Sequence, residues 1–443
     1  MFVISFVNKY IFGVGVPIFL IALGLFYCFK LRFFHFLHPI KTAKALLGGN
    51  RDERISSLKA LALALAGTLG VGNLVGVASA IALGGFGAVF WMWVSAFVAM
   101  ILKYAEIVLA MRHRRFDEKG RPYGSAMYYI EACLGGKRAG RAIGCVFAAL
   151  CVLNAISMGG MIQINAASNA MSGAFDIPPI AVGIAFALIA FFTMTRGARG
   201  IMSVTEKLVP LMTLGFVALS VAVIAMRPEQ TITAFRLILE NAFDVRSVGG
   251  GAFGFLLSDA LRFGTMRGIL SNEAGCGTAP TAHAVSDCKE PAKQGVFGIF
   301  EVFVDTILLC TLTALVIIIG HGCEAVQGEN YMLITMNAYS AVLGDAAGYF
   351  IAVSVVLFGL ATVLCWGYYG ASSVEYLLGS TKKSKAFIWI YAVSVLLGAV
   401  LSSDFIWECA DFAIGSMSMI NLAVLFIMSD EVKRQTQGYF FDR

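Results

Sequence analysis

Gly67-Thr68-Leu69-Gly70-Val71-Gly72-Asn73 lies inside an apolar run from Leu58 to Ala82 that is long enough to cross a bilayer. Three glycines in close succession, with a Thr and an Asn among them, give up helix propensity in the middle of the span. In hydrocarbon, the backbone groups freed by such a break must find protein, a ligand or an ion. A bare carbonyl or N–H there costs several kcal/mol. Small-residue spacing alone would point to close helix packing. The polar Thr68 and Asn73 instead favour a discontinuous helix whose loose ends bind something small and charged.

The rest of the chain supplies the setting. Of its 443 residues, 59% are hydrophobic and 14% charged, and the mean hydropathy is +0.81. A soluble domain carries nearer a quarter charged residues, so this reads as a polytopic membrane protein. Ten Cys stand in apolar runs without a CxxC pair, and of five His only His35 and His38 are close, so neither a zinc site nor a disulfide scaffold is indicated. There is no HExxH, no GxSxG and no phosphate-binding Gly-rich loop with its Lys. No enzyme, cofactor or nucleic-acid partner is expected. Ile11–Cys28 lacks a small-residue cleavage site and reads as a retained helix.

Eleven runs are long enough for a ~30 Å core: 11–30, 58–82, 88–111, 141–170, 178–195, 205–226, 250–267, 295–320, 347–378, 386–402 and 407–428. A twelfth, Tyr331–Leu343, is too short and reads as re-entrant or interfacial. Lys and Arg crowd the connections after the first and third spans and four later segments on that side. The opposite loops hold only Lys9, Arg227, Arg236 and Arg246. By the positive-inside rule, the N-terminus is outside and the C-terminus cytoplasmic.

The expected domains are an N-terminal helix with a basic linker (1–57), a five-helix set (58–226), an outer loop (227–249), a second five-helix set (250–428) and a tail (429–443). Because five is odd, the two sets have opposite orientation, an inverted repeat by topology alone. The second set opens on Gly249-Gly250-Gly251-Ala252-Phe253-Gly254-Phe255, with Ser258, Asp259 and Gly264 beyond. Two Gly-interrupted spans at corresponding positions of inverted halves point to a transporter's central site.

Gly67–Arg112 (GTLGVGNLVGVASAIALGGFGAVFWMWVSAFVAMILKYAEIVLAMR) resembles the signature of the alanine or glycine:cation symporter family. So do Ser271–Ala314, Trp366-Gly367-Tyr368-Tyr369-Gly370 and Glu375-Tyr376-Leu377. The resemblance implies an all-α, 11-helix, leucine-transporter-like 5+5 inverted repeat with one extra N-terminal helix. It also implies sodium-coupled symport of a small neutral amino acid, alanine or glycine, in a bacterial plasma (inner) membrane.

The resemblance further implies site residues. Thr68, Gly70, Gly72 and Asn73 would cradle the substrate carboxylate, with Gln163 facing the pocket. Thr362 would meet the ammonium group or cation, Trp366 would form a lid, and Phe253 and Leu257 an apolar wall. Sodium would take the Ala66 and Leu69 carbonyls and the Thr362 hydroxyl. The chain departs from the family at Phe86, Phe253, Phe255, Asp259, Glu301, Cys365, Gly367, Ala371 and Ser372, which leaves the amino acid's identity open.

Charged residues in apolar runs each need an account. Asp259 and Arg262 can pair along one helix face, and Lys103 and Glu106 can snorkel to the inner interface. Glu301 and Asp305, four apart, repel unless a cation, a proton or a partner intervenes. Asp305 is open between a coupling and a structural role. Trp91 and Trp93 are expected at the outer interface. A proton-coupled transporter would normally place a Lys on the fifth core helix, but Lys207 sits in an end-of-helix Thr-Glu-Lys cluster. A membrane enzyme or receptor is the rival from another class, without a catalytic constellation to support it.

Overall fold

The structure, a computed structural model, describes residues 2–47, 55–243, 258–324, 326, 330–401 and 403–441. It is almost entirely helical, with one short antiparallel hairpin pairing Arg115–Phe116 with Pro122–Tyr123. In chain order the helices used below are α1 (Val3–Lys30), α2 (Pro39–Leu47), α3 (Ser57–Thr68), α4 (Val75–Gly84), α5 (Gly87–Arg112) and α6 (Arg138–Phe175). Next come α7 (Pro179–Met194), α8 (Gly197–Met226), α9 (Pro228–Asn241), α10 (Asp259–Asn272), α11 (Ala279–His283) and α12 (Pro291–Gly320). The last are α13 (Tyr331–Leu343), α14 (Asp345–Leu378), α15 (Thr381–Gly398), α16 (Ser403–Ile427) and α17 (Ser429–Phe440).

Among the described residues, seven helices are long and apolar enough to cross a membrane, or eight if the bent pair α3–α4 is one span. The chain is therefore an integral membrane protein. Helices also occupy the shorter apolar runs at α7, α13 and Ser384–Gly398. Of the 250–267 run, residues 250–257 lie outside the described residues, and the helix that follows continues to Asn272.

Helix α5 is the axis of the molecule. It is apolar nearly all round, and 89% of its spanning window is buried, as expected for a helix packed on every side. Helices α10 and α12 flank it along its length, and α1 packs beside it, with Gly24 so close that an added Cβ would lie 2.6 Å from the Val98 Cβ. The broken pair α3–α4 crosses a second pair, α10–α11: α10 lies against α4, and α11 against α3.

Trp91 and Trp93 both find indole partners within the protein. Trp91 is buried and donates to the Ala242 carbonyl (2.9 Å), and Trp93 donates to Thr311 Oγ1 (2.7 Å), because α9 and α12 cover that end of α5. Gly264 is a packing glycine inside an unbroken helix rather than part of a break. A Cβ on it would lie 2.3 Å from the Ala88 carbonyl oxygen. Asp259 and Arg262 do pair, at 3.4 Å, with Asp259 in the first turn of α10 where a carboxylate complements the helix dipole.

Gly264→Val should force α10 off α5, a cost of about 1–3 kcal/mol. Gly76→Ala, where an added Cβ meets nothing within 4 Å, is the matched control. Thermal unfolding in detergent should show a clear drop for the first only. Equal unfolding temperatures would mean that the two helices do not touch at Gly264.

Candidate functional site

The first break opens where the glycines stand. Helices α3 and α4 meet at 57°, and Gly70 is extended (φ −121°, ψ −156°) between Thr68 and a single 3-10 turn over Val71–Asn73. Neighbouring side chains satisfy the freed backbone. The Val71 N–H donates to Gln163 Oε1 (3.1 Å), while Gln163 Nε2 donates to the Met158 carbonyl (3.2 Å). Thr362 Oγ1 donates to the Ala66 carbonyl (3.0 Å). A Cβ at position 70 would lie 2.6 Å from Thr362 Oγ1 and 2.8 Å from Gln163 Oε1, so only glycine fits. Ala66, Gly70, Gln163 and Thr362, chosen from distant parts of the sequence, thus come together, with Leu69 buried beside them.

A cavity of about 10 Å³ sits at this break, walled by Thr68, Gly70, Gly72, Gln163, Leu270 and Trp407 among others. That is room for about one water. The Thr68 hydroxyl bonds back within its own helix, to the Ala64 carbonyl at 3.4 Å. Trp366 is not in this wall. It is fully buried, and its indole donates to Glu273 Oε1 (3.0 Å). The tryptophan over the cavity is Trp407, at the start of α16. The Arg267 guanidinium stacks on its ring at 4.9 Å and also reaches Asp411 (3.4 Å). Phe253 and Leu257 lie outside the described residues.

Asn73 faces a different neighbourhood from the Gly70 cradle. Its amide donates to Asp305 Oδ1 (2.7 Å) and to Ser271 Oγ (3.0 Å). The other Asp305 oxygen accepts from Ser271 Oγ (2.7 Å) and Thr306 Oγ1 (2.8 Å). Asp305 belongs to a π-helical stretch of α12, Phe303–Cys310, a distortion that often marks functional sites. Asn73 Oδ1 is buried without a hydrogen-bond partner among the described residues. The amide nitrogen, not this oxygen, faces Asp305 and Ser271; carboxylate, hydroxyl and amide oxygens are ligand types that suit a hard cation.

The second break lies at Glu273–Thr278, between α10 and α11, one helix length beyond the Gly249–Phe255 run expected to hold it. Gly249–Leu257 themselves fall outside the described residues. Glu273 takes the left-handed φ of +55°, followed by Gly275 (+85°) and Gly277 (+78°). The Glu273 carboxylate accepts from Thr278 Oγ1 (2.6 Å) as well as from Trp366. Glu106 Oε1 accepts the Gly277 N–H (3.1 Å) and Asn421 Nδ2 (2.6 Å), and Asn421 also donates to the Gly275 carbonyl (3.0 Å). A Glu between an Asn and two glycines, followed by Thr and Pro, was the signal available in the sequence at 272–280.

Lys103 and Glu106 therefore do not snorkel. Both are fully buried because the second break needs them. Lys103 donates to the Asn272 carbonyl and pairs with Glu301 Oε1 at 2.8 Å. The other Glu301 oxygen lies 3.2 Å from His283 Nε2. Gln294 Nε2 donates to His283 Nδ1 (2.9 Å), which leaves the imidazole proton on Nε2, facing Glu301. Glu301 and Asp305 are thus separated by having different partners.

Two interrupted helices crossing inside a bundle of apolar helices, with buried carboxylates and amides at the breaks, define a membrane-embedded secondary transporter. The sequence model of the sodium:alanine symporter family matches residues 1–443, and the chain belongs to that family. It is 33% identical over 444 residues to the sodium/alanine symporter AgcS of Methanococcus maripaludis, covering 98% of this chain and 96% of that one. It is 34% identical to the amino-acid carrier protein AlsT of Bacillus subtilis, covering 98% and 90%. The crystal structure of MhsT in complex with L-phenylalanine shares the fold at 14% identity, with a TM-score of 0.57 over 89% of this chain and 97% of that one. The family consists of transporters, not enzymes.

Glu301→Gln should strand the Lys103 ammonium in the interior and cost about 3–5 kcal/mol. Replacing both partners, as Lys103→Met with Glu301→Leu, should recover much of that loss. Thermal unfolding of the single and double variants measures the difference. A double variant no better than the single would show that the pair is not coupled.

Proposed function

We propose that the protein carries a small neutral amino acid, alanine or glycine, into the cell together with sodium by alternating access. The observation that carries this reading is the buried charge balance around the two breaks. Glu106, Glu273, Glu301 and Asp305 are all at most 1% exposed, against one equally buried ammonium, Lys103. So many carboxylates in a low-dielectric interior create a standing demand for cations. In this reading Asp305, Asn73 and Ser271 bind one coupling cation. The Ala66 and Leu69 carbonyls with Thr362 bind another at the first break.

The substrate carboxylate would be met by backbone N–H groups around Gly70 and Gly72, with Thr68 and Gln163 at the wall. Phe253 and Leu257 would complete its apolar side. The one-water cavity then belongs to a closed state, and entry requires Trp407 and the Arg267–Asp411 pair to move. The architecture we assign is the two inverted five-helix sets, 58–226 and 250–428, preceded by α1. The pairing of α4 with α10 and of α3 with α11 supports it. The Lys and Arg distribution supports an outside N-terminus and a cytoplasmic C-terminus in a bacterial plasma membrane.

A proton could meet the same demand for positive charge, and this is the second reading. Lys207, the residue that reading would enlist, is exposed about three turns into α8, next to Glu206, which pairs with Lys59 (3.4 Å).

Proteoliposomes decide between the two. With voltage clamped and the pH gradient collapsed by a protonophore, an inward sodium gradient should still drive alanine uptake. Asp305→Asn should raise the sodium concentration for half-maximal uptake roughly tenfold, the loss of one charge-assisted contact. Uptake that ignores sodium and requires a pH gradient would eliminate sodium coupling. An unchanged sodium dependence in Asp305→Asn would remove Asp305 from the coupling site.

A further inference from the structure

A polar recess that shares no lining residue with the two breaks lies where α1 ends and α17 crosses it. Its volume is about 140 Å³, and its wall includes Lys30, Arg32, Lys433, Thr436 and Gln437. Three cations therefore line one small space. Lys30 is partly neutralised, pairing with Asp430 (2.8 Å) and donating to Ser429 Oγ (2.7 Å). That contact holds the exposed Asp430 carboxyl below its usual range, so it stays ionised alongside Lys30. Neither Arg32 nor Lys433 forms an ion pair among the described residues. Among the described residues, three positive charges at the recess thus face one negative, Asp430.

The depth of the recess says which anion would reach it. Lys30 is the last residue of the first membrane-spanning helix. Just before it, Phe26 and Phe29 project outward, and beside them Phe426 and Ile427 do the same at the end of α16. Such a rim of exposed apolar side chains belongs in hydrocarbon, and the cations directly beyond it lie at headgroup level. Helix α2 follows with Ile40, 71% exposed, and Lys41 and Lys44 along it, a pattern of interfacial helices. Lys41 donates to the Phe440 carbonyl (2.7 Å) and so closes α17 onto the same corner.

The backbone turn supports a built site. Arg32 and Phe33 both take left-handed φ values (+55° and +48°), and neither is glycine. Two consecutive residues in that region cost conformational energy, and the turn they make brings Arg32 to the recess.

We propose that this recess binds the phosphodiester of an anionic phospholipid headgroup, held by Lys30, Arg32 and Lys433, with the acyl chains lying against Phe29 and Phe426. The site is independent of the transport site and uses only α1, the turn after it and the C-terminal helix. Its occupant would tie the two ends of the chain to the membrane surface. Inorganic phosphate shares the chemistry but not the apolar rim.

The test uses the full-length transporter in detergent, with native mass spectrometry reading bound lipid after addition of phosphatidylglycerol or phosphatidylcholine. Wild type should hold phosphatidylglycerol at least tenfold more tightly than phosphatidylcholine. Arg32→Asn removes the charge and tolerates the positive φ, and Lys433→Gln changes a partly exposed helix position. Each should weaken phosphatidylglycerol retention about fivefold, and together roughly twenty-five-fold. The pair Arg32→Lys with Lys433→Arg keeps both charges and should stay within about threefold of wild type, which separates lost charge from lost structure. Retention unchanged in the Asn/Gln double variant would overturn the proposal. So would inorganic phosphate at millimolar concentration displacing the lipid completely, which would assign the recess to a free anion.

Discussion

Backbone polar groups cannot be left bare in hydrocarbon, and the interior of this protein is arranged around that constraint. Two helices stop in mid-protein and resume, and each interruption frees N–H and C=O groups. At the first, Gln163 takes the Val71 N–H and Thr362 donates to the Ala66 carbonyl. At the second, Glu106 takes the Gly277 N–H and Asn421 the Gly275 carbonyl. The two breaks differ in kind. The first is satisfied by neutral groups that leave little space, which is why position 70 admits no side chain. The second is satisfied by a carboxylate, and burying that carboxylate creates a new electrostatic demand.

That demand runs through the core. Glu106 and Lys103 lie one helical turn apart on α5, and both turn inward because α10, α11 and α12 cover that face. Lys103 can complete an ion pair with only one carboxylate, and it does so with Glu301, whose second oxygen is taken by His283. Glu273 relies on hydroxyl and indole donors, and Asp305 on an amide and two hydroxyls. Neutral donors reduce the cost of a buried charge without cancelling it. At the second break, Glu106 and Glu273 bind the non-helical segment through the Gly277 N–H and Thr278.

Much of this was legible in the sequence, and the errors have physical causes. The break at Gly67–Asn73 was readable because low helix propensity and polar residues coincide inside an apolar run. Ala66, Gly70, Gln163 and Thr362 were brought together by family resemblance, and their geometry is compact. The break at Glu273–Thr278 went unread; the run expected to hold a break, Gly249–Phe255, lies outside the described residues, and Gly264 beyond it serves close packing against Ala88. Glycine density alone cannot distinguish a helix that stops from one that touches. Lys103 and Glu106 were misread because snorkelling is a default for isolated charges near a helix end, and their partners are about 170 to 315 residues away in sequence. Trp366, expected as a lid, bonds to Glu273 instead of lining the cavity at the first break. A tryptophan next to a Gly- and Tyr-rich stretch looks like a lid, but Gly159 and Gly367 instead let α14 pack closely, with a Cβ at Gly159 only 2.2 Å from the Trp366 Cβ.

The contact between the two breaks has a mechanical consequence. Trp366 reaches from α14 to Glu273 in the second break, and four residues earlier Thr362 reaches from the same helix to Ala66 in the first. One 34-residue helix therefore bonds to both interruptions on successive turns. Ser271, at the end of α10, and Asn73, just past the first break, are joined directly and through Asp305. A change in occupancy at Asp305 would thus be felt by both broken helices, without a long chain of intermediates. Movement of the first break relative to α14 costs more than the Thr362 hydrogen bond: Cys365 Sγ also donates to the Leu63 carbonyl (3.1 Å), and Gly67 packs closely on Cys365 and Tyr369. Either break can shift against α14 only if these contacts exchange together, so the two interruptions are mechanically coupled through one helix.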